Sequence, residues 1–244
     1  MTAQLYLDIL PQPDNITCGP TCLHAIYRYF GDAISLQQVV SEVPQIEAGG
    51  TLAVYLALHA LRRGYSATIY SYNLQIFDPT WAVARSEEIA GKLKLQASCK
   101  KVYPELEVST KGYLEFMELG GELRFEVLSA ALIRRYLKRS LPILSGLSAT
   151  YLYNSAREYS QGNDLFFDDI RGEPMGHFVV LAGYDKQDRT VLVADPLLPN
   201  PVNSGQYYRV NILRLVCAIM LGTLTFDGDL LIIKPAEKKK RQVF

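Results

Sequence analysis

The order of hydrophobic and polar positions predicts helices in the first part of the chain. Apolar residues recur at helical spacing over residues 18–30, 35–42 and 51–63, and glycine follows the first and third of these segments. Residues 66–72 then alternate as in a short strand. We therefore expect this part of the chain to form a mainly helical lobe.

Strands dominate the second part of the chain. Residues 126–137 have an amphipathic helical pattern, and the hydrophobic segments that follow are short, as is typical of strands. These segments lie at residues 142–150, 177–184, 190–195, 206–211 and 229–234. Helices combined with an antiparallel sheet predict an α+β fold.

The length of 244 residues and the apolar content of 49% are sufficient for a substantial hydrophobic core. We expect a single domain over residues 1–244 with a helical insertion at 76–124, which contains predicted helices at 82–97 and 110–118. Residues 236–244 include four consecutive basic residues and are expected to form a mobile tail.

The charge balance gives no reason to expect nucleic acid as a partner, because 25 basic and 25 acidic residues leave a net charge of zero. No apolar stretch reaches the roughly 18 residues that a membrane span requires. The longest candidate, Leu213 to Leu224, is interrupted by Arg214. The amino terminus lacks the pattern of a signal peptide, so we expect the chain to be active as synthesised.

The cysteines at positions 18, 22, 99 and 217 have the spacing of neither a disulfide framework nor a zinc ribbon. We therefore expect a reducing, cytoplasmic location and no metal ion. The chain also has no glycine-rich loop between a strand and a helix in the pattern that binds nucleotides. No cofactor is expected.

Cys18 is the strongest candidate for a nucleophile. It opens the segment 18–23 at the predicted start of a helix, where free backbone N–H groups stabilise a thiolate relative to a thiol. Gln12 lies six residues earlier, between two prolines. Its side-chain amide is a candidate to join the Cys18 backbone N–H in donating hydrogen bonds to an oxyanion.

A nucleophilic cysteine requires a general base, and the chain contains three histidines. His24 lies on the helix of Cys18 but is turned about 120° away from it, at about 100° per residue. His59 lies in an apolar helical pattern that is typical of a structural histidine. His177 follows a glycine and begins a predicted strand, and we prefer it as the base.

Asp195 is the candidate to orient His177. If the hairpin of strands 177–184 and 190–195 is centred near Gln187 or one residue earlier, Asp195 lies opposite or diagonal to His177 on the same face. A register shift of one residue would move Asp195 to the other face. The alternative interpretation is that Asp195 merely ends a buried strand.

Taken together, these residues resemble a known family. Gln12 and the segments 18–23, 176–180 and 194–196 are similar to the double-glycine leader peptidases, which are bacteriocin-processing cysteine peptidases with papain-like folds. The chain resembles their stand-alone relatives more closely. The resemblance covers about residues 4–75 and 125–235 and does not extend to 76–124.

The resemblance implies a papain-like fold, in which a helical lobe with the nucleophile packs on an antiparallel sheet with the histidine and the aspartate. It implies that Cys18 is the nucleophile, His177 the general base, Asp195 the orienting acid and Gln12 the oxyanion donor. It further suggests that Gly50, Thr51 and Gly176 bind substrate. An ATP-grasp ligase pathway is one setting that the family implies.

We therefore predict a cysteine peptidase or amide hydrolase that acts on a peptide. Transfer of the acyl group to an amine would use the same triad and stays an alternative, as does a peptide-binding module without catalysis. Cleavage after a pair of glycines is one option for the substrate.

Residues 154–176 form the longest irregular region before His177. This region contains the acidic residues Asp164, Asp168, Asp169 and Glu173. An acidic rim would suit a positively charged peptide or amine, whereas simple solvation of a surface loop is the other interpretation.

Overall fold

The computed structural model describes residues 3–46, 49–100, 104–161 and 164–236. The first part of the chain forms the predicted helical lobe, and its elements closely match the predicted bounds. They are β1 (Ala3–Gln4), α1 (Cys18–Tyr29), α2 (Leu36–Glu42), α3 (Ala53–Arg62) and β2 (Tyr65–Ser71).

The predicted insertion contains α4 (Ser86–Cys99), α5 (Pro104–Glu118) and the short strand β3 (Glu122–Arg124). The prediction of one helix over 82–97 is wrong at its start. A separate 3-10 turn, Pro79–Val83, comes first, because the Asp78 side chain accepts the N–H of Thr80 and Ala84 then adopts an extended conformation.

The second part of the chain alternates between strands and short helices. In order it contains α6 (Ala130–Leu137), β4 (Ile143–Ser148), α7 (Ala149–Tyr153), β5 (Glu158–Gln161), β6 (Asp164–Phe167), β7 (Gly176–Asp185), β8 (Thr190–Ala194), β9 (Tyr207–Asn211), α8 (Ile212–Leu221) and β10 (Asp229–Pro235).

Serine caps explain two boundaries that differ from the prediction. The Ser129 hydroxyl accepts the N–H of Leu132, so α6 begins at Ala130 rather than at 126. The Ser148 hydroxyl accepts the N–H of Tyr151 and starts α7, which ends β4 before residue 150.

The main sheet of the described residues has eight strands in the order β3-β2-β10-β4-β7-β8-β9, with β1 paired to β7. Its pairs are antiparallel except for β2 with β3. Helix α1, which begins with Cys18, packs on this sheet, and the sheet carries His177 on β7 and Asp195 directly after β8. The predicted α+β, papain-like arrangement is confirmed.

A hydrophobic core covers each face of the sheet. The first contains Leu23 of α1 and Leu56 of α3 against Val180 of β7. The second contains residues of α6 and α8 against Val179, the neighbour of Val180 in the strand. Alternate residues of β7 therefore point into different cores, so β7 is buried on both faces.

Glycine allows α1 to approach β7 closely at the start of the helix. A Cβ atom on Gly19 would lie 2.8 Å from Cγ2 of Thr51 and 3.2 Å from Cδ2 of Phe178. A larger residue would push the first turn of α1 away from the strand that carries His177. Gly19 thus fixes the distance between the two halves of the candidate site.

None of the helices in the described ranges has the length and hydrophobicity that a membrane span requires. Strand β10 ends at Pro235, and the predicted basic tail lies outside the described residues from position 237 onward.

The segment 76–124 contributes to the first core rather than forming a core of its own. Its buried members Phe77, Leu93 and Phe116 lie in the same cluster as Leu23 and Leu56. We therefore propose that the chain folds as one domain, as expected from its sequence.

Unfolding of a Phe116→Ala variant tests this proposal. Because Phe116 is fully buried, its loss should lower the free energy of unfolding by about 3–5 kcal/mol. The change should appear equally in the fluorescence of Trp81, the single tryptophan, and in far-ultraviolet circular dichroism during a urea titration.

Leu95→Ala is the matched control, since this leucine in the same segment is 66% exposed and should change stability by less than about 0.5 kcal/mol. If Trp81 unfolds in a separate, earlier transition and Phe116→Ala moves that transition alone, the segment is an independent unit.

Candidate active site

Cys18 is the first residue of α1 and is almost completely buried. The turn before it is fixed by local hydrogen bonds: the Asp14 carboxylate accepts the N–H of Ile16, and the Thr17 hydroxyl donates to the Asp14 carbonyl. Cys18 therefore stands at the helix start, where the Gly19 backbone N–H interacts with its sulfur.

The Cys18 thiol lies close enough to the imidazole of His177 for the charge and hydrogen bonding of the ring to act on the thiol. Burial by itself raises the pKa of Cys18. The positive charge and hydrogen bond of His177, together with the backbone N–H groups of Phe178 and Gly19, outweigh this effect and lower the pKa of the thiol below its ordinary value.

The other side of the imidazole contacts Asp195. His177 Nε2 lies 2.9 Å from Asp195 Oδ1, which leaves Nδ1 for the thiol. Burial by itself lowers the pKa of His177, but the negative charges of Asp195 and Cys18 raise this pKa well above its ordinary value. The lowered pKa of Cys18 and the raised pKa of His177 both favour a thiolate and imidazolium pair over the neutral pair.

The Asp195 carboxylate is fully buried and accepts four hydrogen bonds. Besides His177, the donors are the backbone N–H of Leu197 at 3.0 Å and the hydroxyls of Tyr153 and Tyr208 at 2.9 and 2.7 Å. Burial raises the pKa of Asp195, and the charge of His177 with these donors lowers it below its ordinary value. The carboxylate is thus held ionised.

A β-bulge brings Asp195 to the correct face of the sheet. Next to the turn, Asp185 pairs with Thr190, a register that would place Asp195 opposite Val180. The register shifts by one residue between Leu181 and Gly183, so Ala194 lies opposite Val180 instead. Asp195 then falls diagonal to His177, in the register centred on Gln187.

Gln12 lies beside both halves of the site. Its backbone N–H donates to the carbonyl of Pro196, the residue after Asp195, at 2.9 Å, and its side-chain Nε2 donates to the Asp14 carbonyl at 2.7 Å. These bonds hold the carboxamide between the end of β8 and the turn that precedes Cys18. The second Nε2 proton is not used by the Asp14 bond.

The three candidate substrate-binding residues occupy different positions. Gly50 has a φ of +75° and accepts the N–H of Ile46 in a turn, while the Thr51 hydroxyl donates to Pro44 and its methyl group packs on Gly19. Gly176 directly precedes His177. The structure thus brings Thr51 and Gly176 next to the site and gives Gly50 a turn conformation.

The remaining histidines lie elsewhere. His59 Nδ1 is bonded to the Tyr27 hydroxyl and its Nε2 to Glu42, at 2.8 and 2.9 Å. His24 is buried on α1, where burial and the charge of Arg28 lower its pKa. Both have structural surroundings, in agreement with the preference for His177.

Cys22 differs from Cys18 although it lies on the next turn of the same helix. Its thiol donates to the Phe178 carbonyl at 3.2 Å, and burial, with the negative charges of Cys18 and Asp195, raises its pKa well above the ordinary value. Cys22 stays protonated, and neither Cys18 nor Cys22 is part of a disulfide.

Three functional candidates were not found from the sequence: Tyr153, Tyr208 and a buried carboxyl, Asp227. Tyr208 lies on the predicted strand 206–211. The alternation of polar and apolar residues along a strand does not show which residue the Tyr208 side chain contacts. No sequence signal separates Tyr153 or Asp227 from ordinary buried residues.

A thiol, an imidazole and a buried carboxylate in series are the arrangement typical of cysteine-dependent hydrolases. The family comparison agrees with this class. A family model described as "Peptidase_C39 like family" matches residues 4–215, and the chain belongs to this family. It is a cysteine-type peptidase.

Solved structures with similar folds were also found. One is described as a C39-like peptidase from Bacillus anthracis, with a TM-score of 0.49, 12% identity and coverage of 98% of this chain and 100% of that one. A double glycine motif protease from an AMS/PCAT transporter, solved with the leader peptide, has a TM-score of 0.45, 14% identity and coverage of 96% and 95%. Xylellain, a cysteine protease from Xylella fastidiosa, has a TM-score of 0.44, 14% identity and coverage of 97% and 86%.

No curated protein matches the chain in sequence.

The pH dependence of Cys18 alkylation tests the ion pair. Because the pKa of Cys18 is lowered, reaction with iodoacetamide should persist as the pH falls from 8 to about 6. In His177→Gln the positive charge is lost, so the rate should fall about tenfold for each pH unit below an ordinary thiol pKa of about 8.5.

The rates are measured by mass spectrometry of the peptide that contains Cys18. Exposed Cys99 is the internal control, since its rate should not differ between the two proteins. Identical pH profiles for Cys18 in both proteins would contradict the ion pair.

Proposed function

We propose that this peptidase hydrolyses an amide bond of a peptide, with Cys18 as the nucleophile, His177 as the acid and base, Asp195 as the orienting residue and Gln12 as the oxyanion donor. The observation that carries the proposal is that the imidazole of His177 interacts with the Cys18 thiol, whose pKa it lowers, and lies 2.9 Å from the Asp195 carboxylate through its Nε2 atom. This is the contact pattern that nucleophilic thiol catalysis requires.

In the first step, the Cys18 thiolate attacks the carbonyl carbon of the scissile amide, and the carbonyl oxygen becomes an oxyanion. The free Nε2 proton of Gln12 and the backbone N–H of Cys18 donate to this oxygen. Both donors are held in place before the reaction, because Gln12 is bonded at its backbone and its side chain.

In the second step, the C–N bond breaks and His177 gives its proton to the leaving amine, which leaves a thioester on Cys18. Neutral His177 then takes a proton from water, whose oxygen attacks the thioester and releases the free acid. Asp195 stays ionised throughout, since its four donors favour the carboxylate, and it keeps the imidazole in one orientation.

A peptide-library digest tests the function. The native chain should release products with free carboxyl termini, which are identified by mass spectrometry. Cys18→Ala should release none, whereas Cys99→Ala, which removes an exposed thiol far along the sequence, should be as active as the native chain.

The same digest is repeated with an added amine. A conjugated product in place of the free acid would show acyl transfer rather than hydrolysis, and absence of any product would favour a binding function.

Gln12→Ala should reduce turnover by on the order of 10²-fold, as loss of an oxyanion donor does in other hydrolases. Gln38→Ala is the matched control, because Gln38 is an exposed residue of α2 whose amide donates to Glu42. Turnover is measured on one peptide from the digest, and unchanged turnover in Gln12→Ala would exclude the proposed donor.

The cleavage sequence, the cytoplasmic location and the ATP-grasp setting stay predictions from the sequence and its resemblance.

The acidic region before His177 is partly accounted for by local structure. Asp168 accepts backbone and side-chain hydrogen bonds from Arg171 and a bond from the N–H of Ile170, which lower its pKa to about 2. The Asp168 carboxylate therefore forms an ion pair with Arg171.

A further inference from the structure

A buried carboxyl outside the triad lies beside the residue that precedes the catalytic histidine. Asp227 follows α8 and a 3-10 turn (Gly222–Thr225) and comes just before β10. Only 8% of its surface is exposed. The proposed chemistry assigns no function to this group.

Two glycines on neighbouring strands create the space for Asp227. A Cβ atom on Gly176 would overlap Oδ2 of Asp227, and one on Gly146 would overlap its backbone carbonyl oxygen. Any other residue at position 176 would displace the carboxyl group. The sequence Gly176-His177 thus places a carboxyl next to the base.

The position of the carboxyl is fixed by its own segment. The Asp227 backbone N–H donates to the Gly222 carbonyl at 2.9 Å, and the Thr225 hydroxyl donates to Asp227 Oδ2 at 3.1 Å. Among the described residues, Oδ1 has no hydrogen-bond donor and no lysine or arginine pairs with the group. A buried carboxyl with one unused oxygen can accept a donor from a ligand.

The charge of Asp227 is coupled to the active site. Burial, followed by the negative charge of Cys18, raises the pKa of Asp227 well above its ordinary value. Burial and the neighbouring Cys18 therefore favour the neutral form of this carboxyl. A cation that bound beside Asp227 would lower the pKa of this carboxyl and favour the carboxylate. The negative charge of the carboxylate would in turn balance the cation.

A second carboxyl also interacts with His177. Burial raises the pKa of half-buried Glu158 on β5, and the charge of His177 opposes this effect. Two arginines of the segment before His177 are bonded within that segment: Arg157 donates to the Asp169 carbonyl and Arg171 to the Asp168 carboxylate.

We propose that Asp227 determines specificity by binding a positively charged group of the substrate, a lysine or arginine side chain or an amine, close to the scissile bond. This inference rests on the proposed function, because it takes Cys18 and His177 as the reacting pair. The ammonium or guanidinium donates to the free Oδ1 atom of Asp227.

The peptide-library digest tests the inference when it is read for sequence. Peptides cleaved by the native chain should be enriched in lysine or arginine within two residues of the scissile bond. In Asp227→Asn, which keeps the size of the side chain, this preference should fall by about 10- to 100-fold, as expected for a hydrogen bond to a charged group. Cleavage of uncharged sequences should persist.

Asp188→Asn is the matched control, because it removes an exposed carboxyl from the turn at the other end of β7 and should leave the preference unchanged. Asp227→Ser is the second variant if Asp227→Asn does not fold. Cleavage without a basic preference, or a preference that survives in Asp227→Asn, overturns the inference and leaves the proposed peptidase function intact.

A measurement without turnover separates the two proposals if no peptide is cleaved. Cys18 is modified with 2-aminoethyl methanethiosulfonate, which is cationic, and with methyl methanethiosulfonate, which is neutral. The ratio of the two rates should be about tenfold higher in the native chain than in Asp227→Asn. Equal ratios overturn the inference, whereas failure to cleave any peptide counts only against the proposed function.

Discussion

The buried positive charge of His177 is the interaction on which the rest of the site depends. An imidazolium in the interior is stable only between partners of opposite charge, and here these are the Cys18 thiolate and the Asp195 carboxylate. The carboxylate is itself fully buried and therefore needs donors of its own. The hydroxyls of Tyr153 on α7 and Tyr208 on β9 donate hydrogen bonds to this carboxylate. The charge of His177 is therefore stabilised by residues from a helix and from the sheet.

Close backbone packing brings these charges within reach of one another. Gly19 lets the start of α1 lie against Phe178, and Gly176 leaves room for Asp227 on the adjacent segment. The packing of α1 against β7 also shifts the pKa values of the two cysteines of α1 in opposite directions. The pKa of Cys18, which interacts with His177, is lowered, whereas Cys22, one turn later, donates to the Phe178 carbonyl and its pKa is raised.

Local signals explain why much of the fold was predictable. Helix α1 was expected over 18–30 and ends at Tyr29, because Gly31 with its φ of +79° ends the helical pattern whatever surrounds it. Strand β7 has a continuous apolar sequence and is buried on both faces. The predictions failed where a side-chain cap decided the boundary, as at Ser148, whose hydroxyl starts α7 two residues before the expected end of the strand.

The sequence by itself determined the chemistry of the site: a thiol at a helix start, a histidine at a strand start, an aspartate after the next strand and a glutamine upstream. Tertiary structure decided their geometry, because the bulge at Ala182, and not the turn, brings Asp195 to the face of His177. It also decided the partners Tyr153, Tyr208 and Asp227. These contacts join residues distant in sequence, and only the packed sheet brings such residues together.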